Sequence, residues 1–175
     1  IKYISGLKYL NLPSSTLSAQ QLAAIKSACP SVNINYTMKT QGTVLNNTVT
    51  AVDLSAMESA QVDSYASQIA ACPNVVWVEL MSESGTSNLS VADVKKLQQA
   101  NPNVIFNYTF KLYGNTVSTT DEKVEFKNVS IGNNGEETIR AALDILSGCR
   151  YFKLDNCGLS NELLAQIRDD YPTAN

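Results

Sequence analysis

Cys149-Arg150-Tyr151-Phe152-Lys153-Leu154-Asp155-Asn156-Cys157-Gly158-Leu159 carries the spacing on which the fold reading turns. Counted from Cys149, apolar side chains fall at the first, fourth, sixth and eleventh places, with a cysteine at the ninth. Leu7-x-x-Leu10-x-Leu12-x-x-Ser15-x-Leu17 repeats that spacing at the other end of the chain. Looser copies are Val49-x-x-Val52-x-Leu54-x-x-Met57 and Val124-x-Phe126-x-x-Val129-x-Ile131. Val75-x-x-Val78-x-Leu80 opens another, whose Leu89 is delayed by an insertion over Ser82–Asn88.

A longer period encloses these units, and internal repetition is the first thing to look for in a chain of this length. Shifted by about 72 residues, Pro30-Ser31-Val32-Asn33-Ile34-Asn35-Tyr36-Thr37 falls on Pro102-Asn103-Val104-Ile105-Phe106-Asn107-Tyr108-Thr109. The match runs without a gap to Leu54 and Phe126, and keeps Lys39/Lys111, Gly42/Gly114, Thr48/Thr120 and Val52/Val124 identical. The physical reading is a coil. The fourth and sixth residues lie on one face of a short strand, because side chains alternate. The chain then bends, and a small polar residue at the ninth place can satisfy backbone groups there. One coil cannot bury its apolar face alone, so neighbours must complete the core.

The spacing resembles the leucine-rich repeat, L-x-x-L-x-L-x-x-N/C-x-L, and the mixed super-repeat is similar to divergent members from gut clostridia. The resemblance implies an α/β fold: a right-handed leucine-rich-repeat solenoid, with a mainly parallel curved sheet on one face and helices plus hairpin legs on the other. Residues 1–175 are then a single domain within a longer array. The chain stops after Pro172 where the next strand is expected, and starts at Ile1 without a signal-peptide pattern.

Local signals place the elements. Strands are expected near Leu10, Ile34, Val52, Val78, Phe106, Val124 and Phe152. Ser18 followed by Gln21 reads as a capping box opening a helix that Pro30 stops. Ser90 and Ser160 open equivalent helices stopped by Pro102 and Pro172. Two more are expected over 60–71 and 136–146, ended by Pro73 and Gly148. Tyr36 to Val49 and Tyr108 to Asp121 read as Thr-rich hairpins turning at Gly42 and Gly114.

Composition narrows the function. Charged residues are 17% of the chain and the net charge is −3, which speaks against a basic nucleic-acid footprint. With no histidine, neither Ser-His-Asp nor Cys-His catalysis nor a histidine metal site can be built. No apolar run approaches the ~20 residues of a membrane helix, so no membrane insertion is expected. The four cysteines fit no zinc spacing; Cys149 and Cys157 bracket one strand, too far apart to pair. They read as small buried apolar residues, with a disulfide from Cys29 or Cys72 to another coil as the alternative. No cofactor is implied. The Asn-x-Ser/Thr triplets at Asn35, Asn46, Asn88, Asn107 and Asn128 arise readily by chance in so Asn-, Ser- and Thr-rich a chain.

Two outward rows carry the candidate site. Asn11, Asp53, Glu79, Glu125 and Lys153 sit between the inward strand residues, and Tyr9, Ala51, Trp77, Lys123 and Tyr151 sit two residues before them. Tyr and Trp dominate binding hot spots. The expected function is therefore non-enzymatic recognition of a protein or glycan partner through the sheet face. Tyr9, Asn11, Asp53, Trp77, Glu79, Glu125, Tyr151 and Lys153 are the ligand-binding candidates. The resemblance implies a secreted or cell-surface protein. Two other readings stand beside this one: a structural spacer with no ligand, and a hydrolase using two of Asp53, Glu79 and Glu125, one of them with a raised pKa. Self-association through the edge of the last repeat is a further expectation.

Overall fold

The computed structural model of the chain describes residues 6–12, 17–40, 43–132 and 134–174. Its elements run β1 (Tyr9–Leu12), α1 (Ala19–Ala28), β2 (Asn33–Thr40), β3 (Thr43–Asn46) and β4 (Ala51–Asp53). A single 3-10 turn at Ser59–Gln61 then leads into α2 (Val62–Ala70), β5 (Trp77–Glu79), α3 (Val91–Ala100) and β6 (Ile105–Asn107). The chain ends with β7 (Thr109–Leu112), β8 (Asn115–Ser118), β9 (Lys123–Lys127), α4 (Gly135–Leu143), β10 (Tyr151–Asp155) and α5 (Asn161–Asp170). Each expected strand centre lies in a strand, and each expected helix forms.

The helix ends show why. Ser18 Oγ accepts the Gln21 N–H at 3.2 Å while Gln21 Oε1 accepts the Ser18 N–H at 2.9 Å, so two otherwise orphaned donors are satisfied together. Ser90 and Asp93 make the same reciprocal pair, and Ser160 Oγ accepts from Leu163. At the other ends, Cys29, Cys72, Asn101 and Tyr171 each stand before a proline and accept, through the backbone carbonyl, the N–H three residues on, each at 3.1 Å. Proline removes the donor that would continue the helix and presets the turn. α4 ends at Leu143, before the Gly148 expected to stop it; Gly148 instead donates its N–H to Thr119 O at 3.0 Å. A Cβ there would press on the Thr120 backbone, meeting its carbonyl oxygen at 3.0 Å.

The strand ladders follow the repeat register. β1 and β2 pair in parallel, Leu10 facing Ile34. β4, β5 and β6 form a parallel trio in which Val52, Val78 and Phe106 line up. β9 and β10 pair in parallel, with Val124 facing Phe152. The hairpins are antiparallel, β2 with β3 and β7 with β8. Tyr113 and Gly114 take the second hairpin's two-residue turn at φ 48° and 82°, the left-handed pair that matches strand twist. The turn at Gly42 lies outside the described residues.

These ladders do not join into one sheet, and the expected leucine-rich-repeat solenoid with its single curved parallel sheet is not what forms. Among the described residues the strands divide into four sheets, of three, three, two and two strands. The cause is local. At the outer edge of β6, where β9 would continue a parallel sheet, Thr119 intervenes. It is fully buried. Its hydroxyl donates to Phe106 O at 2.6 Å and accepts from the Tyr108 N–H at 3.1 Å, and its own N–H donates to Tyr108 O at 2.9 Å. One residue thus satisfies the backbone groups that a strand would have paired. Asn47, its counterpart in the first super-repeat, accepts the Tyr36 N–H through Oδ1 at 3.5 Å. The hairpins bring both residues into place.

Beneath the sheets lie two hydrophobic clusters. The larger centres on Val78, Leu80, Val94, Leu97 and Phe106, all fully buried. The smaller gathers Phe126, Ile139, Ala142 and Leu146. Phe110 packs against both. Burying each large aliphatic or aromatic side chain contributes roughly 1.5–3 kcal/mol, so these rows, and not helix propensity, hold the short helices in place.

Candidate functional site

Alternation along β4, β5 and β6 turns Val52, Val78 and Phe106 inward and leaves their neighbours facing out. Register does the rest. Trp77 has Ala51 on one side and Ile105 on the other; one step along, Glu79 has Asp53 on one side and Asn107 on the other. The outer face of this trio is therefore an upper row of Ala51, Trp77 and Ile105 over a lower row of Asp53, Glu79 and Asn107. Ile105, 46% exposed, extends the apolar row.

The lower row is ordered by hydrogen bonds. Asn107 Nδ2 donates to both Glu79 carboxylate oxygens, at 2.9 and 2.8 Å, and Glu79 Oε1 also accepts the Met81 N–H at 3.0 Å. Asp53 Oδ1 accepts the Ser55 N–H at 2.9 Å. Hydrogen bonds from the Ser55 side chain and backbone hold the Asp53 carboxyl below the usual carboxylate range. A hydrolytic pair needs one carboxyl poised to donate a proton. Asp53 and Glu79 are brought side by side, but Asp53 is shifted the other way.

The remaining sequence candidates sit on other sheets. Tyr9 and Asn11 lie on β1, Tyr9 well exposed and Asn11 Oδ1 accepting from Asn35 Nδ2 at 2.9 Å. Glu125 and Lys153 face each other across β9 and β10, yet Glu125 pairs with Lys123 of its own strand at 3.0 Å. Lys123 Nζ also lies 5.3 Å from the centre of the Tyr151 ring, so that end of the outer face is self-compensated. The structure thus unites Asp53, Trp77 and Glu79 and separates them from Tyr9, Asn11, Glu125, Tyr151 and Lys153. Ile105 and Asn107 were not among the ligand-binding candidates. The signal for Ile105 was there: it is an apolar residue on the outward phase of a strand whose inward phase is Val104, Phe106, Tyr108 and Phe110.

The other reactive groups serve the fold. Burial pushes the Cys72 thiol up to about 11, against the opposing pull of Lys26, and also raises Cys149; neither is a thiolate at neutral pH. Cys157, at the bend expected for it, points its sulfur at Asp155 O and Phe126 O, at 3.4 and 3.6 Å. Among the described residues no three His, Cys, Asp or Glu side chains converge as a metal site would require. None of the described helices is long and apolar enough to cross a membrane. Compared with protein-family models, with curated proteins and with solved structures, the chain matches none.

Proposed function

We propose that this protein is a non-enzymatic recognition module that engages a protein or glycan partner through the outer face of β4, β5 and β6. The reading rests on one observation: in a single register, the chain's one tryptophan stands between Ala51 and the exposed Ile105, directly above the ordered polar row of Asp53, Glu79 and Asn107. Aromatic and aliphatic area beside fixed hydrogen-bonding groups is the anatomy of a binding hot spot. A secreted or cell-surface setting suits a polar surface so poor in charge.

The test uses purified arrays of glycans and of peptides, probed with the wild-type chain and with Trp77→Ala and Ile105→Ala. Loss of a hot-spot tryptophan costs about 2 kcal/mol, or roughly 30-fold in affinity. Probes bound by the wild type should lose that much with Trp77→Ala, at unchanged thermal midpoint. Array binding that survives both substitutions, or no binding by the wild type at all, would leave the spacer reading in possession.

A further inference from the structure

We infer that the occupant of this face is a cationic polypeptide segment, an arginine of which lies in the notch over Ala51 against the Trp77 indole and beside Asp53. The inference rests on the recognition reading above and names its partner.

Shape comes first. Ala51 and Trp77 are direct register partners, and neighbouring strands lie about 4.8 Å apart. A methyl group beside an indole leaves a step in the surface. Its floor is the exposed Ala51 and its wall is the half-buried Trp77 side chain. A guanidinium plane fills such a step by stacking, and a cation over a tryptophan face gains about 0.5–2 kcal/mol.

Charge is the second argument. On β9 and β10 the outward acids are neutralised: Glu125 pairs with Lys123 at 3.0 Å and Asp155 with Lys127 at 3.7 Å. On the central trio, Asp53 and Glu79 take part in no ion pair among the described residues. Two negative charges therefore stand side by side on an outward face, with no cation paired to either among the described residues. Asn107 and the Met81 N–H fix the Glu79 carboxylate, and the Ser55 N–H fixes Asp53 Oδ1. A face with fixed carboxylates selects a cationic partner and speeds its arrival. A neutral sugar gains nothing from that net charge.

The aliphatic flank sets the partner's pattern. Ile105 is exposed on the far side of Trp77 from Ala51. An extended segment crossing the three strands would set an arginine over Ala51 and an aliphatic side chain over Ile105.

Because Trp77 is the chain's one tryptophan, its fluorescence reports on this face alone. The probes are an acetylated, amidated Arg-Val-Arg-Val-Arg peptide, its Glu-Val-Glu-Val-Glu counterpart, and an uncharged N-acetylglucosamine oligomer. The arginine peptide should give a saturable change that the glutamate peptide does not. Asp53→Asn/Glu79→Gln should weaken it at least tenfold, as should raising the salt to about 0.5 M. Ala51→Leu, which fills the notch and keeps both charges, should weaken it as much. It also serves if the double variant fails to fold. No saturable response to the arginine peptide, or one that Ala51→Leu leaves intact, would overturn the inference. A response to the sugar oligomer in its place overturns the cationic partner while leaving recognition standing. The Trp77 and Ile105 array comparison decides recognition independently.

Discussion

The side-chain amide of Asn107 bridges both oxygens of the Glu79 carboxylate, its neighbour across the β5–β6 register, at 2.9 and 2.8 Å. Replacing that donor with an acceptor sets two like charges directly opposite each other in a sheet, which is destabilising. Asn107→Asp should lower stability by about 1 kcal/mol at neutral pH, with the loss shrinking near 1 M salt and below pH 4. Urea midpoints at low and high salt check this; a salt-independent difference would mean that charge is not the cause.

Asp93 offers a pH handle. It is buried at the start of α3, where its Oδ2 accepts from the Ser90 N–H at 2.9 Å and from the Ser90 and Ser59 hydroxyls, each at 2.7 Å. Those bonds, the Ser90 backbone first, hold its carboxyl below the usual range. A carboxyl depressed by folding contributes stability above its unfolded value of about 3.9, and loses it as the pH falls through the lower folded value. Asp93→Asn should cost about 1–2 kcal/mol at pH 7 and flatten the decline in stability between about pH 5 and pH 2. Wild type and variant declining in parallel over that window would count against it.

Thr119 can be tested by isosteric exchange. Thr119→Val keeps the shape but strips the hydroxyl from Phe106 O and the Tyr108 N–H. An unmet buried group costs about 1–3 kcal/mol, so the variant should melt well below wild type while Thr119→Ser stays within about 1 kcal/mol. Equal midpoints for the two would show that the hydroxyl carries no stability.

Phe110 packs on both hydrophobic clusters and stacks on Tyr108 at 6.1 Å between ring centres. Phe110→Ala should cost about 3 kcal/mol and split a single calorimetric transition into two. A lower midpoint with one undivided peak would mean that the clusters are coupled elsewhere.

What could be read from the sequence was the part decided by near neighbours. Period-two alternation at Phe106 and Val124, the serine caps and the prolines after Cys29, Cys72 and Asn101 each act over three or four residues, and each element formed where those signals lay. Sheet continuity is a different kind of fact. Whether β6 meets β9 or Thr119 depends on which group reaches the Phe106 and Tyr108 backbone first, and a threonine in a Thr-rich hairpin carries no mark that it will. The same split holds for the site. Strand phase placed Trp77, Asp53 and Glu79 outward, but the pairing that gathers them and leaves Glu125 with Lys123 comes from register between distant segments.

The residue that stands in for a strand beside β6 also governs how the molecule yields to mechanical load. Tension reaching the β9–β10 end from the β4–β6 end along the hydrogen-bond direction crosses Thr119: its hydroxyl and amide hold Phe106 and Tyr108 on one side, and its carbonyl holds Gly148 on the other. A ladder pulled this way peels bond by bond, and at Thr119 it is one residue wide. Stretching single molecules between their two ends should show a weak early rip that frees one half intact, followed by the rupture of the other. One rip releasing the whole chain would place the weak point elsewhere.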